Sequence, residues 1–474
     1  MLRRTKIVAT LGPATDDPAV LEDVVRRGAD VVRVNFSHGE PEAHRRRVEG
    51  VRRAAARVGK HVAVLGDLQG PKIRIEGFAD GRVMLDEGAR FALDPAIDPT
   101  EGTARGVGIT YHQLAADVHA GDALILGDGQ IELAVESVHG GRVDCRVTVG
   151  GELSDHKGIN RRGGGLSAKA LTDKDREDVR LAASLDVDYL AVSFVRQAAD
   201  VEEARALLRA AGSDARIVSK IERSEAIPRL EEIIRASDAV MVARGDLGVE
   251  VGYAQLTGIQ KQILHMARSL DRVTITATQM MESMILSPVP TRAEVSDVAN
   301  AVLDGTDAVM LSAETAAGKY PVETITQMAA IALEAEAADD ASIETDFTNK
   351  RFGRIDQSIA MGALFTAHHL GCKAILALTE SGSTALWMSR HNIKVPIYGL
   401  TTQLVSQRKM ALYRNVRPLL MPALADRDEA LARAESLLVE LGVLKRGDTY
   451  AITCGEPMGH PGGTNMLKVC RVGG

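Results

Sequence analysis

The segment RIVSKIE, residues 216–222, is a short apolar run that ends in a lysine and a glutamate. Side chains alternate across a β-strand, so Lys220 and Glu222 project to the same side. Burying charged groups carries a large desolvation penalty, and structural needs alone rarely select such a pair. The segment therefore predicts a strand whose polar end belongs to a functional site.

Seven other short apolar runs share this pattern and end in polar or glycine-rich turns. They are Lys6–Leu11, Asp30–Phe36, His61–Leu65, Asp188–Phe194, Ala239–Ala243, Arg272–Ala277 and Ala308–Leu311. Stretches of helical length separate most of these runs. Eight parallel strands with helices between them predict an α/β fold, a (β/α)₈ TIM barrel, in which chemistry gathers at the C-terminal ends of the strands.

Two interruptions divide the chain into three parts. From about Pro71 to Ser167 the pattern changes to short β runs with glycine turns, which predicts a β-rich lid domain inserted into a barrel loop. After a polar stretch near Ala337–Arg354, apolar runs again alternate with helical patterns, which predicts a separate α/β domain. We expect the barrel at 1–70 and 168–342, the lid at 71–167 and the C-terminal domain at 343–474.

The composition excludes several classes of function. The 474 residues carry a net charge of -7, which does not suggest binding to nucleic acid. No run approaches the roughly 20 apolar residues of a membrane helix, so no membrane partner is expected. The four cysteines are far apart, which indicates a reducing compartment without a metal cluster. We expect a cytoplasmic protein.

The other strand ends carry residues that suit a charged ligand. Arg33, Asn35 and Ser37 share one face of the second run, and such a face inside a covered barrel predicts a polar site near the mouth. Glu222 and Asp246, carboxylates from neighbouring strands, suit Mg²⁺ or Mn²⁺. Lys220 can stabilise negative charge that the metal does not reach.

The turn after the sixth run and the end of the seventh and eighth runs complete this mouth. Gly245 leaves room for a ligand to approach the backbone. Thr274, Thr276 and Thr278 alternate onto one face of the seventh run, and Thr278, where the strand ends, is the expected ligand contact. Ser312 and Glu314 close the eighth strand. Positive charge around a metal, without an obvious nucleophile triad, fits phosphoryl transfer, although no Gly-x-x-x-x-Gly-Lys-Ser/Thr phosphate loop occurs.

Seven stretches in this order resemble the pyruvate kinases over nearly the whole chain. They are KIVATLGP (6–13), RVNFSHG (33–39), SKIE (219–222), MVARGDLG (241–248), ATQMMESM (277–284), PTRAE (290–294) and MLSAET (310–315). The resemblance implies transfer of the phosphoryl group of phosphoenolpyruvate to ADP, followed by protonation of the enolpyruvate. Pyruvate and ATP would be the products.

The resemblance also implies a role for each residue at the mouth. Glu222 and Asp246 would hold Mg²⁺, Lys220 would stabilise the phosphoryl group in flight, and Arg33 would contact the substrate phosphate. The backbone at Gly245 and Asp246, with the Thr278 hydroxyl, would hold the substrate carboxylate, and proton delivery would run through Thr278 and water. The implied nucleotide contacts are Asn35, Ser37, His38, Arg74 and Lys157.

One position departs from the pattern of many family members. Those enzymes need K⁺, held by residues matching Asn35, Ser37, Asp67 and the carbonyl of Leu68. They usually carry a glutamate where this chain has Lys72. Our hypothesis is that the Lys72 amine supplies the charge that K⁺ supplies elsewhere, so that K⁺ is not required.

A hydroxyl-rich loop follows an apolar run in the C-terminal domain and precedes a helical pattern. Such a loop can cradle a phosphate, and in the resembled family it receives a phosphorylated allosteric effector. Its residues are Thr379, Ser381, Gly382, Ser383 and Thr384. We expect the loop Gly459–Gly463 beside that site. The family also suggests a homotetramer, with the Thr291–Asn300 helix near a subunit contact.

Two other functions remain open from the residues alone. A Mg²⁺-dependent, enolate-forming aldolase or lyase on a related barrel would also use paired carboxylates and an arginine. It would not need Lys220, or a lid domain with Arg74 and Lys157. A non-catalytic metabolite sensor is the second alternative, and the intact set of strand-end residues argues against it.

Overall fold

The computed structural model describes residues 2–71, 73–339, 351–424 and 426–473. In the first of these ranges, three strands alternate with two helices. Their bounds are β1 Lys6–Thr10, α1 Pro18–Arg27, β2 Val31–Asn35, α2 Pro41–Val58 and β3 Ala63–Asp67. The carboxylate of Asp17 caps α1 by accepting a hydrogen bond from the backbone N–H of Ala19 at 2.7 Å.

The third strand lies two residues later than expected. We predicted His61–Leu65, whereas the strand begins at Ala63 and ends at Asp67. The pairing of β3 with β2 explains the difference, because Asn35 lies opposite Asp67 in the parallel register. Asp67 is therefore part of the barrel wall and not of the turn that follows it.

A β-rich unit follows β3, as predicted. Its elements are β4 Arg82–Leu85, β5 Arg90–Leu93, β6 Gly106–Val107, α3 Leu114–Asp117, β7 Ala123–Leu126, β8 Ile131–His139, β9 Arg142–Val149, β10 Gly151–Ser154 and β11 Ile159–Arg161. Six strands form one sheet in the order β11-β7-β8-β9-β5-β6, and β10 pairs with β4 in a second sheet. Buried side chains such as Phe91, Leu124 and Leu133 form a core separate from that of the barrel.

The chain then returns to the strand–helix alternation. The elements are α4 Asp173–Ser184, β12 Tyr189–Val192, α5 Ala198–Ala210, β13 Arg216–Ile221, α6 Leu230–Ala236, β14 Ala239–Ala243, α7 Arg244–Val251, α8 Tyr253–Ser269, β15 Val273–Ala277, α9 Arg292–Leu303, β16 Ala308–Leu311, α10 Ala313–Ala316 and α11 Pro321–Ala338. Thr172 and Thr291 cap α4 and α9 through reciprocal hydrogen bonds with Asp175 and Glu294.

Eight parallel strands close into a barrel in the order β1-β16-β15-β14-β13-β12-β3-β2. All eight predicted runs contribute one strand each, which confirms the predicted fold class. Alternate side chains divide between two cores. Residues such as Val8, Tyr189 and Met241 fill the interior, whereas Val192 and Val240 pack against the helices.

The last part of the chain forms a five-stranded sheet with helices. Its elements are α12 Ile355–His369, β17 Ile375–Leu378, α13 Ser383–Ser389, β18 Ile397–Thr401, α14 Leu404–Met410, β19 Val416–Leu420, α15 Arg427–Glu440, β20 Thr449–Gly455 and β21 Thr464–Arg471. The order is β19-β18-β17-β20-β21, with only β21 antiparallel among these strands. The partly parallel sheet agrees with the expectation. The domain boundaries themselves stay a prediction, and residues 342 and 343 lie outside the described ranges.

The C-terminal sheet and its helices contact the base of the barrel, at the N-terminal ends of the strands. The Tyr189 hydroxyl donates to the carbonyl of Lys409 at 2.5 Å, and Lys6 Nζ donates to the carbonyl of Val416 at 2.6 Å. The opposite end of the barrel is therefore left to the lid. No helix within the described ranges is long and apolar enough to cross a membrane.

Candidate active site

A cavity of about 140 Å³ opens at the C-terminal end of the barrel. Most of its lining comes from strand ends, and one residue comes from the base of the lid. The lining residues are Arg33, Asn35, Ser37, His38, Gln69, Arg74, Phe194, Lys220, Glu222, Met241, Ala243, Asp246, Thr278, Met310 and Ser312. The structure thus brings together residues that the sequence analysis singled out on five different strand ends.

Lys220 lies at the end of β13 and points into this cavity. Its Nζ donates to Ser193 Oγ at 2.7 Å and lies 2.9 Å from Glu222 Oε1 and 3.5 Å from Asp67 Oδ1. Burial acts to lower the pKa of Lys220, but the carboxylates of Asp67 and Glu222 outweigh it and hold that pKa above its ordinary value. The side chain is therefore a fixed cation at neutral pH.

Glu222 is the more buried of the two predicted metal ligands. It is only 2 % exposed, and its Oε2 accepts a hydrogen bond from the backbone N–H of Phe194 at 2.7 Å. Burial raises the pKa of Glu222, Lys220 acts to lower it, and the nearby charge of Asp246 raises it further. Two carboxylates that repel each other across a cavity suit a divalent cation.

The donor set fits Mg²⁺ in number as well as in chemistry. In the described part of the chain, no group of three or more His, Cys, Asp or Glu side chains is placed to hold a metal ion by itself. Mg²⁺ is commonly bound by one or two carboxylates and completes its octahedron with water and substrate oxygens. Glu222 and Asp246 together match that requirement.

Arg33 projects from β2 toward the same space. Its Nε donates to Asp67 Oδ2 at 2.6 Å, and one terminal nitrogen donates to Thr10 Oγ1 at 3.1 Å. Asp67 is 1 % exposed, so this carboxylate orients the guanidinium from behind. Arg33 lines the cavity, so its remaining donors are available to a phosphate there.

Thr278 reaches the cavity by a different route from the one predicted. Thr274 and Thr276 point away from the barrel interior. Outside it, their hydroxyls form hydrogen bonds with Asp307 and Thr306 respectively. Strict alternation would send Thr278 the same way. Instead its backbone has φ of 69°, a left-handed conformation that is rare for a β-branched residue. Strain of this kind is characteristic of functional sites.

The Thr278 hydroxyl meets the first turn of α7. It donates to the carbonyl of Ala277 at 2.6 Å and accepts from the backbone N–H of Gly245 at 2.8 Å. Arg244 supports the turn from below, since its guanidinium donates to the carbonyl of Thr278 at 2.8 Å and pairs with Asp297 at 2.7 Å. The N–H groups of this turn and the threonine thus form one polar edge of the site.

The predicted nucleotide residues divide into two groups. Asn35, Ser37, His38 and Arg74 line the cavity. Arg74 belongs to the base of the lid, where it also donates to the carbonyl of His156 at 2.7 Å. Lys157 is absent from the lining among the described residues, and its backbone carbonyl accepts from Ile75. The structure therefore brings four of the five together.

Three of the four residues that the family resemblance assigns to K⁺ have oxygens with close protein neighbours: Asn35, Asp67 and Leu68. Asn35 Oδ1 accepts from the backbone N–H of Ser37 at 3.1 Å, and Asp67 lies between Arg33 and Lys220. The carbonyl of Leu68 accepts from the hydroxyl of Ser193 at 2.7 Å. Lys72, the residue of the K⁺ hypothesis, lies outside the described residues.

Two residues that contact the charged groups of the site were not singled out from the sequence. Ser193 and Phe194 follow β12, and they contact Lys220 and Glu222 respectively. The available signal was a serine at the end of an apolar run, the same signal that marked Ser312. Glu314, which was expected to close the eighth strand, is instead buried and accepts from the backbone N–H groups of Ser312 and Met281. It is absent from the cavity lining among the described residues.

A second cavity, of about 450 Å³, lies in the C-terminal domain. Of the five predicted effector residues, only Thr379 appears in its described lining. Gly459, His460 and Gly462 of the loop Gly459–Gly463 form part of the wall, as expected. Ser383 begins α13, and the Thr384 hydroxyl bonds Thr464 at 2.7 Å.

Comparison with known proteins agrees with this geometry. The family model described as pyruvate kinase, barrel domain, matches residues 2–325, and the one described as pyruvate kinase, alpha/beta domain, matches residues 357–470. The chain is 52% identical to pyruvate kinase II of Salmonella typhimurium over 99% of both proteins. It is 49% identical to pyruvate kinase of Haemophilus influenzae, over 99% of this chain and 98% of that protein. The chain belongs to the pyruvate kinase family.

Proposed function

We infer that this chain is a Mg²⁺-dependent phosphotransferase that moves the phosphoryl group of phosphoenolpyruvate to ADP, giving pyruvate and ATP in the last step of glycolysis. The observation that carries this conclusion is the single cavity that holds Arg33, Lys220, Glu222, Asp246 and Thr278. Phosphoryl transfer depends on positioning and on stabilising charge, and these five residues offer two cations, two carboxylates and a hydroxyl for those tasks.

We propose that the two cations act on the phosphoryl group. Arg33 is held by Asp67, so its free donors can bind the phosphate of the substrate before transfer. Lys220 donates to Ser193 and lies in ion-pair distance of Glu222 and Asp67. It keeps its charge at neutral pH, so it can neutralise the phosphoryl oxygens as the bond to the substrate breaks. Charge that is fixed in advance needs no reorganisation at the moment of reaction.

We assign the metal to Glu222 and Asp246. When bound, Mg²⁺ would polarise the substrate oxygens and neutralise negative charge. Manganese has the same preference for oxygen ligands. The pKa of Glu222 is raised first by its burial and further by the charge of Asp246. A cation bound at this position would lower that pKa by stabilising the charged carboxylate.

The turn at the start of α7 is the proposed seat of the substrate carboxylate. Backbone N–H groups at the N-terminus of a helix attract anions. Gly245 N–H bonds Thr278 Oγ1, which places the hydroxyl beside this turn. From there Thr278, together with water, can deliver the proton that converts the enolpyruvate to pyruvate.

The nucleotide is proposed to bind between the barrel and the lid. Asn35, Ser37, His38 and Arg74 lie on the cavity wall, and Arg74 belongs to the lid. Movement of the lid could add Lys157 to this group and exclude water from the phosphoryl group. The four lining residues support this assignment, and Lys157 rests on the family resemblance alone.

We further propose that the enzyme does not require K⁺. In support, the oxygens of Asn35, Asp67 and Leu68 have the protein partners described above, including the guanidinium of Arg33. With tetramethylammonium as the only other monovalent cation, K⁺ should stimulate activity less than about twofold, because a lysine ammonium is itself a compact point charge. Lys72→Glu should create a K⁺ requirement. Strong stimulation of the unmodified protein by K⁺ would contradict the hypothesis.

A phosphorylated effector is proposed for the larger cavity of the C-terminal domain. Its described lining contains hydroxyl groups, backbone, the imidazole of His460 and the carboxylate of Glu380, but no lysine or arginine. A phosphate there would depend on Thr379, Thr401 and Thr402 and on backbone N–H groups.

We also propose a homotetramer with a subunit contact near Thr291–Asn300, where Val295 is 37% exposed. A cytoplasmic location is supported by the four cysteines, all of which are free thiols.

A coupled assay tests the proposed reaction. The purified protein with phosphoenolpyruvate, ADP and Mg²⁺ should form ATP and pyruvate in equal amounts. Lys220→Met should lower kcat by about 10²–10³-fold, because it removes one fixed charge from the transition state. Lys261→Met, which changes an exposed lysine on α8, is the control and should keep full activity. Pyruvate formed without ATP would favour the aldolase or lyase, and binding without turnover would favour the sensor.

A further inference from the structure

Ser193 connects the catalytic lysine to the turn that follows β3. Its hydroxyl lies 2.7 Å from Lys220 Nζ on one side and 2.7 Å from the carbonyl oxygen of Leu68 on the other. The residue is 1 % exposed, so water does not compete for either contact. Ser193 belongs neither to the predicted metal ligands nor to the predicted substrate contacts.

The chemistry of the hydroxyl group defines the direction of both hydrogen bonds. A serine has a single O–H hydrogen, and a carbonyl can only accept, so the hydroxyl donates to Leu68. The ammonium of Lys220 has no acceptor capacity, so it donates to Ser193 Oγ. The three atoms form a directed chain from the lysine through the serine to the backbone.

Ser193 is the only uncharged partner of Lys220 within the described residues. The other two are Glu222 Oε1 and Asp67 Oδ1, at 2.9 Å and 3.5 Å. Both carboxylates have a second task, because Asp67 binds Arg33 and Glu222 is a proposed metal ligand. A neutral acceptor can hold the ammonium without neutralising the charge that the phosphoryl group needs.

The turn after β3 packs directly against Ser193. Gly70 has φ of +69°, and a Cβ atom built on it would lie 2.8 Å from Ser193 Cβ. The N–H of Leu68 also bonds the carbonyl of Ala191, two residues before the serine. The hydroxyl of Ser193 therefore joins two neighbouring strand ends of the barrel at the floor of the site.

We propose that Ser193 is a positioning residue for phosphoryl transfer, whose hydroxyl holds the ammonium of Lys220 in place and ties it to the carbonyl of Leu68. The proposal rests on the proposed function. Without the hydroxyl, the flexible four-carbon stem of Lys220 is held by the two carboxylates alone. The ammonium then moves toward them and away from the phosphoryl group.

Ser193→Ala tests this role, with Ser219→Ala as its matched control. Ser219 is a fully buried serine on the adjacent strand, and its hydroxyl shares a hydrogen bond with Ser237 at 2.6 Å. Ser193→Ala should lower kcat by about 10- to 100-fold, the range expected for losing a hydrogen bond to a charged group. KM for both substrates should change less than about threefold, because ground-state binding does not depend on this contact. Ser219→Ala should lower Tm by about as much as Ser193→Ala does, and it should leave kcat unchanged.

Ser193→Cys gives a second measurement that does not depend on the alanine variant folding. A thiol of similar shape is a weak acceptor and donor, so kcat should lie between those of the wild type and Ser193→Ala. The proposal is overturned if Ser193→Ala keeps kcat within twofold, or if Ser219→Ala loses as much kcat. It is also overturned if KM carries the whole effect. A wild type that forms no ATP would instead refute the proposed function.

Discussion

Two buried charge clusters lie at opposite ends of the same barrel and differ in how completely they are satisfied. At the base, Asp307 accepts from Arg390 through both carboxylate oxygens and also from the backbone N–H groups of Thr274 at 2.9 Å and Arg414 at 3.1 Å. At the mouth, Asp67 Oδ1 makes no hydrogen bond within the described residues, although Lys220 lies 3.5 Å away.

The difference separates a structural cluster from a functional one. A buried ion pair whose hydrogen bonds are all made to other protein groups has no donor or acceptor left for a ligand. The base cluster joins the barrel to the C-terminal domain, because Arg390 belongs to the segment after α13. The mouth cluster keeps donors and acceptors free and opens onto a cavity. Incomplete satisfaction of buried charge is thus the physical mark of the site.

The largest effect is expected from breaking the base cluster. Asp307→Ala leaves the buried guanidinium of Arg390 without its carboxylate, and such losses amount to about 3–5 kcal/mol. We expect a large decrease in Tm and loosening of the C-terminal domain from the barrel. At a temperature where the variant is folded, its KM values should match those of the wild type. An unchanged Tm would show that this pair does not join the domains.

A third buried carboxyl, Glu250 at the end of α7, sharpens the comparison through pH. It is 4 % exposed and accepts from the backbone N–H of Ser224 at 2.7 Å, beside the return of the lid. Burial raises the pKa of Glu250 from 4.5 to about 7. A carboxyl whose pKa is raised by folding favours the protonated state, so its contribution to stability falls as pH rises from about 4.5 to about 7.

Glu250→Gln should remove that part of the pH dependence. One unit of pKa corresponds to about 1.4 kcal/mol. The free energy of unfolding of the variant should therefore exceed that of the wild type by up to about 3 kcal/mol at pH 8 and by little at pH 4.5. Thermal unfolding at several pH values measures this gain. Glu232→Gln, at an exposed position on α6, is the control and should leave the pH profile unchanged. A destabilised Glu250→Gln protein at pH 8 would contradict the expectation.

The smallest effect on the free energy of unfolding is expected from Asp67→Asn at the mouth. The substitution keeps the shape of the side chain but removes the charge that orients Arg33. We expect kcat/KM for phosphoenolpyruvate to fall about 10- to 100-fold, as for a lost hydrogen bond to a charged group. Tm should change by only a few degrees, because Arg33 and Lys220 border the cavity. A fall in Tm as large as that of Asp307→Ala would erase the contrast between the two clusters.

Local patterns allowed much of the site to be predicted. Lys220 and Glu222 on one strand face, Asp246 at the next strand end and Arg33 on β2 were all identified before the fold was known, and all line the cavity. The effector loop stays a prediction, and of its five residues only Thr379 appears in the described lining of the larger cavity. The sequence of a loop gives the hydroxyl groups that it carries. It does not give the cavity wall, because several segments that are distant in sequence form that wall together.

The sequence by itself determined the number and order of the barrel strands, most of their side-chain faces and the family, because strand periodicity and motif order are properties of neighbouring residues. The tertiary structure decided which strand ends meet. Only the closed barrel places Ser193 between Lys220 and Leu68, and only the left-handed backbone of Thr278 turns its hydroxyl to Gly245. The stagger of the strands sets these contacts, and stagger depends on packing around the whole barrel.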